Sequence, residues 1–266
     1  MSKSINVLGE LKEKIFKTLA GFEGLTLADL DRVSLQNRMD TKFVFNDALL
    51  PEVLEKLRIA GYKTLSIEGV RAFRYSSVYF DTDDFSLYGR HAAGKMNRYK
   101  VRRRSYVDTG GTFFEIKFKN NRGRTIKSRV GVDSISDMDK ASRLLMEKTP
   151  YDFTSLHEQI IVDYTRITLT GPDFKERLTI DTDLTYVMGD RKWSVEGIVV
   201  AELKQNRTAA SMFSKLMKEY HIRPSSLSKY CLGVAALADN VKKNSFKPQI
   251  LMVKKIQHDT TTRPRQ

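Results

Sequence analysis

A chain of 266 residues, 41% hydrophobic and 29% charged, is long enough to bury a full core and is composed like an ordinary soluble globular protein. Its 46 basic against 32 acidic residues leave a net charge of +14, which suits polyanionic partners: nucleic acid, polyphosphate, nucleotides or an anionic membrane surface. The lone Cys231 excludes an intramolecular disulfide. No signal-peptide core opens the chain and no run approaches the roughly 20 apolar residues of a membrane span, so a cytoplasmic protein is expected.

Leu8, Leu11, Ile15, Phe16 and Leu19 recur at helical spacing and predict an N-terminal helix. QNRMDTKFVF (36–45) reads as the first long strand. DALLPEVLEKLRIA (47–60) reads as a helix, with Asp47 as its cap and Pro51 in its first turn. FRYSSVYFD (73–81) is a strand. The acidic DTDDF (81–85) lacks the remaining ligands of a calcium loop and reads as a strand-ending turn. Strands follow at 97–107, 112–118 and 125–132, separated by the hairpin signals DTGGT and NNRGR. After a helix at 137–148 come strands at 160–169, 176–181 and 197–204, with Trp193 in a hairpin, then helices at 208–220 and 228–238. The four histidines are scattered without zinc-site spacing. Residues 1–240 read as one domain. Residues 241–266 read as a basic tail of weak periodicity whose last ten or so residues are expected to be disordered. The expected fold is α+β, an antiparallel sheet of about eight strands closing into a barrel flanked by helices.

Residues 95–129 hold twelve Lys/Arg against Asp108 and Glu115. In RYKVRRRSY (98–106), Arg98, Lys100, Arg102 and Arg104 share one strand face, about 6.8 Å apart. At an effective dielectric of about 20, each adjacent pair repels by roughly 2.4 kcal/mol. Other strands repeat the division. Glu115 and Lys117 oppose Phe114 and Ile116; Lys127 and Arg129 oppose Val130; Tyr164 falls with Arg166; Arg177, Thr179, Asp181 and Asp183 oppose Leu178 and Ile180; Glu202 and Lys204 oppose Ala201 and Leu203. A solvated sheet face accounts for any one strand. A solvated surface normally mixes signs, however. Facing inward, the same set would line a wet cationic tunnel fit for a chain of phosphates, with the carboxylates as ligands for Mg²⁺ or Mn²⁺.

The ordered series RMDTKFVF, SVYFDT, YKVRRRSY, EIKFK, TIKSRV, DYTR, RLTIDTDLTY, VVAELK and SSLSKYCLGVAAL, from about Arg38 to Leu237, resembles the VTC domain, the polyphosphate polymerase domain of the triphosphate tunnel metalloenzyme superfamily. That resemblance implies an eight-stranded antiparallel tunnel that binds ATP and polyphosphate with Mn²⁺ or Mg²⁺ and moves the γ-phosphate onto a growing chain. It implies catalytic roles on the phosphates for Lys42, Arg102, Arg104, Lys117, Lys127, Arg166 and Lys229, substrate binding by Arg129, Tyr164 and Ser228, and metal binding by Glu202. Lys100 and Lys204 on the same face are expected to bind substrate, and Asp181 and Glu115 to assist the metal. Bland roles stand beside these: Tyr164 as a sheet aromatic, Asp181 and Asp183 as turn caps, Lys204 as a solvated side chain, Ser228 as a helix cap, Glu115 as a neutraliser of its neighbours. Arg103 falls on the outer face. The E-x-E-x-K signature of the CYTH-type branches is absent from SLQNRMDTK.

A tripolyphosphatase or nucleoside triphosphatase in the same tunnel, or a module that only binds polyphosphate or inositol polyphosphates, remain alternatives. No specific nucleic-acid partner is expected, because the aromatics mostly alternate away from the cations. A membrane-associated partner protein is compatible with the basic tail.

Overall fold

The computed structural model describes residues 2–31, 38–134, 137–206 and 210–258. The eight foreseen strands are β2 (Arg38–Asn46), β4 (Ala72–Asp81), β5 (Arg98–Tyr106), β6 (Thr112–Lys119), β7 (Thr125–Gly131), β8 (His157–Thr170), β9 (Glu176–Met188) and β11 (Ile198–Asn206). Short strands β1 (Glu23–Leu25), β3 (Lys63–Leu65), β10 (Arg191–Val195) and β12 (Pro224–Ser225) extend the sheet. The order β12-β2-β11-β9-β8-β4-β5-β6-β7 is antiparallel at every step. Among the described residues no pairing joins β7 to β2 or β12. The expected barrel is present as a tunnel-like curl of the sheet that, among the described residues, is not strictly closed. Gly110 and Gly111, at φ of 75° and 87°, supply the left-handed turn between β5 and β6 that other residues adopt reluctantly.

Apolar residues on the convex face bury under helices. Leu19 of α1 (Ser2–Ala20), Leu50, Val53, Leu54 and Leu57 of α3 (Leu50–Ile59), and Phe213, Leu216 and Met217 of α6 (Met212–Glu219) pack on Phe43, Ile167, Leu178, Ile180, Val199, Ala201 and Leu203. Ala141 and Leu145 of α5 (Met138–Lys148) cover Val101, Phe114 and Ile116. Each such burial contributes about 1.5–3 kcal/mol, so a handful of them offsets several like-charge pairs on the concave face.

One end of the concave face is filled by α7 (Lys229–Leu237), whose Tyr230, Cys231, Leu232 and Val234 pack on Tyr79, Ile160, Val162, Tyr186 and Val200. Almost every side of this helix is apolar, as burial inside a barrel requires. Asp81 locks it in place: its buried carboxylate accepts from the amides of Leu87 (2.8 Å) and Tyr88 (2.9 Å) and from the Tyr230 hydroxyl.

The structure corrects several local expectations. Asn46, not Asp47, caps the turn before α3, accepting from the Ala48 amide at 2.9 Å. DTDDF does end a strand, but Asp81 also starts the unforeseen helix α4 (Ser86–Ala92). The helix expected at 208–220 begins, among the described residues, at Met212, capped by Ser211. A short α2 (Leu27–Asp31) also went unforeseen, and α7 is not the last helix. Lys247–His258 form α8, which buries Val253 and follows the buried Phe246. Its weak periodicity hid it because α8 packs through only a narrow stripe. The disorder expected at the very end falls mainly on 259–266, outside the described residues. Among the described residues no helix is long and apolar enough to cross a membrane.

A Cβ on Gly233 of α7 would come within 2.6 Å of Ile160 Cδ1 and closer still to the Tyr186 ring. Gly233→Ala gains about 1 kcal/mol of helix propensity but overpacks this contact at a cost of about 1–3 kcal/mol. The expected outcome is a net loss of stability, read as a lower urea midpoint with an unchanged slope.

Candidate functional site

The concave face is built by strand register. Across β5, β6 and β7 one row reads Lys100–Lys117–Lys127 and the next Arg102–Glu115–Arg129. Three lysines abreast would repel, and the adjacent carboxylate answers them. Glu115, 1% exposed, accepts from Arg102 Nε at 2.7 Å and pairs with Lys127. Arg102 also donates to the Tyr79 hydroxyl (3.2 Å), and Arg104 Nε donates to Ser77 Oγ (3.2 Å).

The other wall comes from β8, β9, β11 and β2. Arg166 holds Asp181 with two bonds, Nε to Oδ1 at 2.6 Å and Nη2 to Oδ2 at 2.8 Å, and Lys229 at the start of α7 pairs with the same carboxylate. Glu202 stands opposite Lys42 in the ladder and pairs with Lys204 at 2.9 Å; Lys204 also reaches Asp40 at 3.6 Å. Tyr75 and Tyr164 stack at 5.4 Å, with the Arg166 guanidinium 5.3 and 5.2 Å and that of Arg104 5.7 and 5.8 Å from the two rings. The Lys229 ammonium lies 5.0 Å from the Tyr164 ring. Among the described residues the buried Tyr164 hydroxyl has no hydrogen-bond partner. Ser228 caps α7 through the Cys231 amide and also accepts from Lys100 Nζ at 2.9 Å.

Proton affinities record this crowding. Burial and the cations pull the carboxylates in opposite directions, and the cations win. Arg102, Arg104 and Lys127 hold Glu115 far below the usual carboxylate range, Lys204, Lys42 and Arg166 do the same to Glu202, and Arg166 and Lys229 hold Asp181 at about 2. Lys117 loses proton affinity, first to the Arg102 charge, then to burial, with Glu202 of the opposite wall pulling it back. The two walls therefore act on each other electrostatically. Burial likewise lowers Lys100 and Lys127.

Lys42, Lys100, Arg102, Arg104, Glu115, Lys117, Lys127, Tyr164, Arg166, Asp181, Glu202, Lys204, Ser228 and Lys229 thus share one concavity. Arg129 lies on the same face but, like Lys127, stands exposed on β7 at the edge of the sheet, 4.9 Å from the Phe113 ring. Asp181 lies inside β9 rather than in a turn. Asp183 leaves the face, because a bulge in the β8–β9 ladder and its φ of 53° turn it outward to Lys12. Arg103 is on the outer face, paired with Glu158 at 2.9 Å. Sequence reasoning missed Tyr75, Ser77 and Tyr79, although the alternation within FRYSSVYFD carried them. Tyr75, Tyr79 and Tyr164 among the cations qualify the expectation that aromatics point away; these three are buried, while Phe113 beside Arg129 is half-buried.

The VTC domain profile matches residues 37–238, in an antiparallel tunnel with this cationic interior. The chain belongs to the VTC domain family. No curated protein matches it in sequence. Similar solved structures include the PH1819 protein from Pyrococcus horikoshii OT3 (15% identity, TM-score 0.43, covering 73% of this chain and 97% of that one). HpAC1 from Hippeastrum, described as an adenylyl cyclase candidate with a dominant triphosphatase activity, shares 14% identity at TM-score 0.43, covering 74% and 96%. At these values neither likeness bears on chemistry.

A divalent ion fits this VTC domain on one condition. Among the described residues no three His, Cys, Asp or Glu side chains converge into a metal cage. Glu115, Asp181 and Glu202 are held apart, the first two each between two cations. Glu202 has the freest oxygens, and a hard cation can be held by one carboxylate when phosphates and water complete its shell. The donor set therefore fits an ion that arrives with a phosphate ligand.

Two outcomes are expected. Asp181→Asn leaves Arg166 and Lys229 without a counter-charge and costs about 3–5 kcal/mol in chemical denaturation, partly restored by tripolyphosphate. Because folding lowers the Asp181 pKa, its contribution is present above the ordinary value of about 3.9 and fades as pH falls toward about 2, so the variant shows a flatter acid-stability profile there. Second, an anion that restores Lys117's proton affinity draws in a proton, so tripolyphosphate affinity falls as pH rises through the interval between the free and bound values. Calorimetry in buffers of different ionisation enthalpy should show net proton uptake that shrinks in Lys117→Gln.

Proposed function

We propose that this VTC domain is an ATP-dependent polyphosphate polymerase that works inside the cationic tunnel. The observation that carries the reading is the Lys100–Lys117–Lys127 row on the same concave face as Lys42, Arg166 and Lys229, a concentration of positive charge that a multiply charged, elongated anion suits. Arginine forks match pairs of phosphate oxygens, while lysines serve as mobile point charges.

In the transfer, the bond between the γ-phosphorus and its bridging oxygen breaks, ADP leaves with the electron pair, and an oxygen of the acceptor chain or of phosphate forms the new bond. Positioning and charge stabilisation dominate such chemistry. Arg102, Arg104, Lys117, Lys127 and Arg166 take up the charge that shifts to the leaving oxygens. Lys42, Lys100, Lys204 and, at the rim, Arg129 hold neighbouring phosphates in line. Tyr164, with its unpartnered hydroxyl, Ser228 and Lys229 fix the terminal phosphate. Glu202 is the residue to hold Mn²⁺ or Mg²⁺, which when bound supplies further neutralisation of the phosphate oxygens. Asp181 and Glu115 keep the cations in register and lend the metal charge at a distance.

The acceptor choice follows from proton affinity. The tunnel carboxylates are held ionised and are weak bases, whereas a phosphate acceptor near neutral pH is already ionised and needs none. A second reading, hydrolysis of tripolyphosphate or a nucleoside triphosphate, uses the same cations with water as the acceptor.

Incubation with ATP and Mn²⁺, resolved on a gel, separates the readings. Long chains are expected; free phosphate alone assigns hydrolysis, and binding without turnover under either metal assigns a binding module. Glu202→Gln and Lys229→Ala should each lower turnover by about 10²-fold or more while remaining folded. Unchanged activity in both would refute the site.

A further inference from the structure

We propose that the tunnel continues outward, at the end filled by α7, as a docking track for the phosphate chain, built by Arg98 and Lys119 together with the C-terminal segment that carries Lys242 and Lys247. Arg98 and Lys119 face each other across the β5–β6 ladder, one strand step (about 6.8 Å) beyond the Lys100–Lys117 pair. Directly opposed like charges destabilise an antiparallel pair. Among the described residues neither has an ion pair with a carboxylate; Arg98 Nη1 donates only to the Lys95 carbonyl, at 3.0 Å. The inner rows have Glu115 to answer them, and this outer pair has nothing internal.

A third group marks the same electropositive region. His91 of α4 is half-buried, its Nδ1 has no partner among the described residues, and its proton affinity is pushed down to about 3 by burial and then by Lys100, Arg98, Lys119 and Lys42. Beside it the chain brings in its second basic cluster. Ser245 Oγ donates to the Ala92 carbonyl at 2.8 Å, the Tyr88 hydroxyl donates to the Lys242 carbonyl at 2.9 Å, and the His91 and Phe246 rings lie 6.0 Å apart. Lys242 and Lys247 are exposed on this fastened segment. The C-terminal basic segment, about 120 residues beyond Lys119 in sequence, is thus fastened to α4, which in turn lies against the start of β5, where Arg90 Nη2 donates to the Asn97 carbonyl at 3.2 Å. Continuity with the inner rows, and the half-buried position of Arg98 and Lys119 on the concave face, suit a thin flexible polyanion better than a flat bilayer. The inference rests on the tunnel's being a polyphosphate site.

The test compares long-chain polyphosphate with tripolyphosphate, which is too short to occupy tunnel and track together. Binding to the full chain is measured for wild type, for Arg98→Glu with Lys119→Glu, and for Lys242→Glu with Lys247→Glu, each checked for folding by circular dichroism. Both double variants are expected to lose about tenfold or more in long-chain affinity, with a shallower salt dependence, and to keep tripolyphosphate affinity within about twofold. Unchanged long-chain binding, or equal losses for both ligands, overturns the track. Loss of binding to phosphatidylserine vesicles with polyphosphate binding intact overturns it in favour of a membrane surface. Wild type that binds long chains but not tripolyphosphate supports the track while removing the proposed reaction; wild type that binds neither removes both.

Discussion

The constraint on which this molecule depends is the crowding of guanidinium and ammonium groups on one face of a curled sheet. Three buried or half-buried carboxylates make that crowding tolerable, each placed where strand register brings cations close: Glu115 between Arg102 and Lys127, Asp181 between Arg166 and Lys229, Glu202 beside Lys204 and opposite Lys42. Such pairs are not efficient stabilisers, because desolvation consumes most of their Coulomb energy. Stability comes instead from apolar burial, on the convex side under α1, α3, α5 and α6 and at the α7 end of the concave side. Alternation along a strand lets one backbone serve both ends, with an oily face that holds the fold and a cationic face that awaits a ligand.

Helix α7 connects the two. It completes the core inside the barrel through Tyr230, Cys231 and Val234, and its first residues enter the polar space: Ser228 caps the helix and accepts from Lys100, while Lys229 reaches Asp181. Asp81 holds α4 and α7 together through backbone amides and the Tyr230 hydroxyl. The geometry of the polar groups is thereby tied to the packing of a rigid apolar helix, as preorganised charge stabilisation requires.

Where one face of a strand is buried in oil and the other carries charge, the pattern was legible. Phe114 and Ile116 against Glu115 and Lys117 left no doubt about sidedness, and the eight long strands followed from such runs. Legibility failed where local chemistry had two outlets. DTDDF reads as a turn because Asp and Thr favour turns, but the Asp81 carboxylate also satisfies the first amides of α4. Tyr75 and Tyr79 look like core aromatics and are buried, yet their neighbours are Arg166, Arg104 and Arg102. In α8, a narrow buried stripe among lysines is too weak a period to stand out.

By itself the sequence determined the strand-rich α+β class, the sidedness of each long strand and the cationic character of one face, because these depend on residue spacing of two and on composition. Only the tertiary structure decided that the charged faces line one concavity, that each carboxylate is shared among particular cations, and that the C-terminal basic segment fastens beside α4. Those are long-range pairings, set by register between distant strands and by the packing of α7 and α8, and no local pattern encodes the distance between Lys117 and Glu202 or between Ala92 and Ser245.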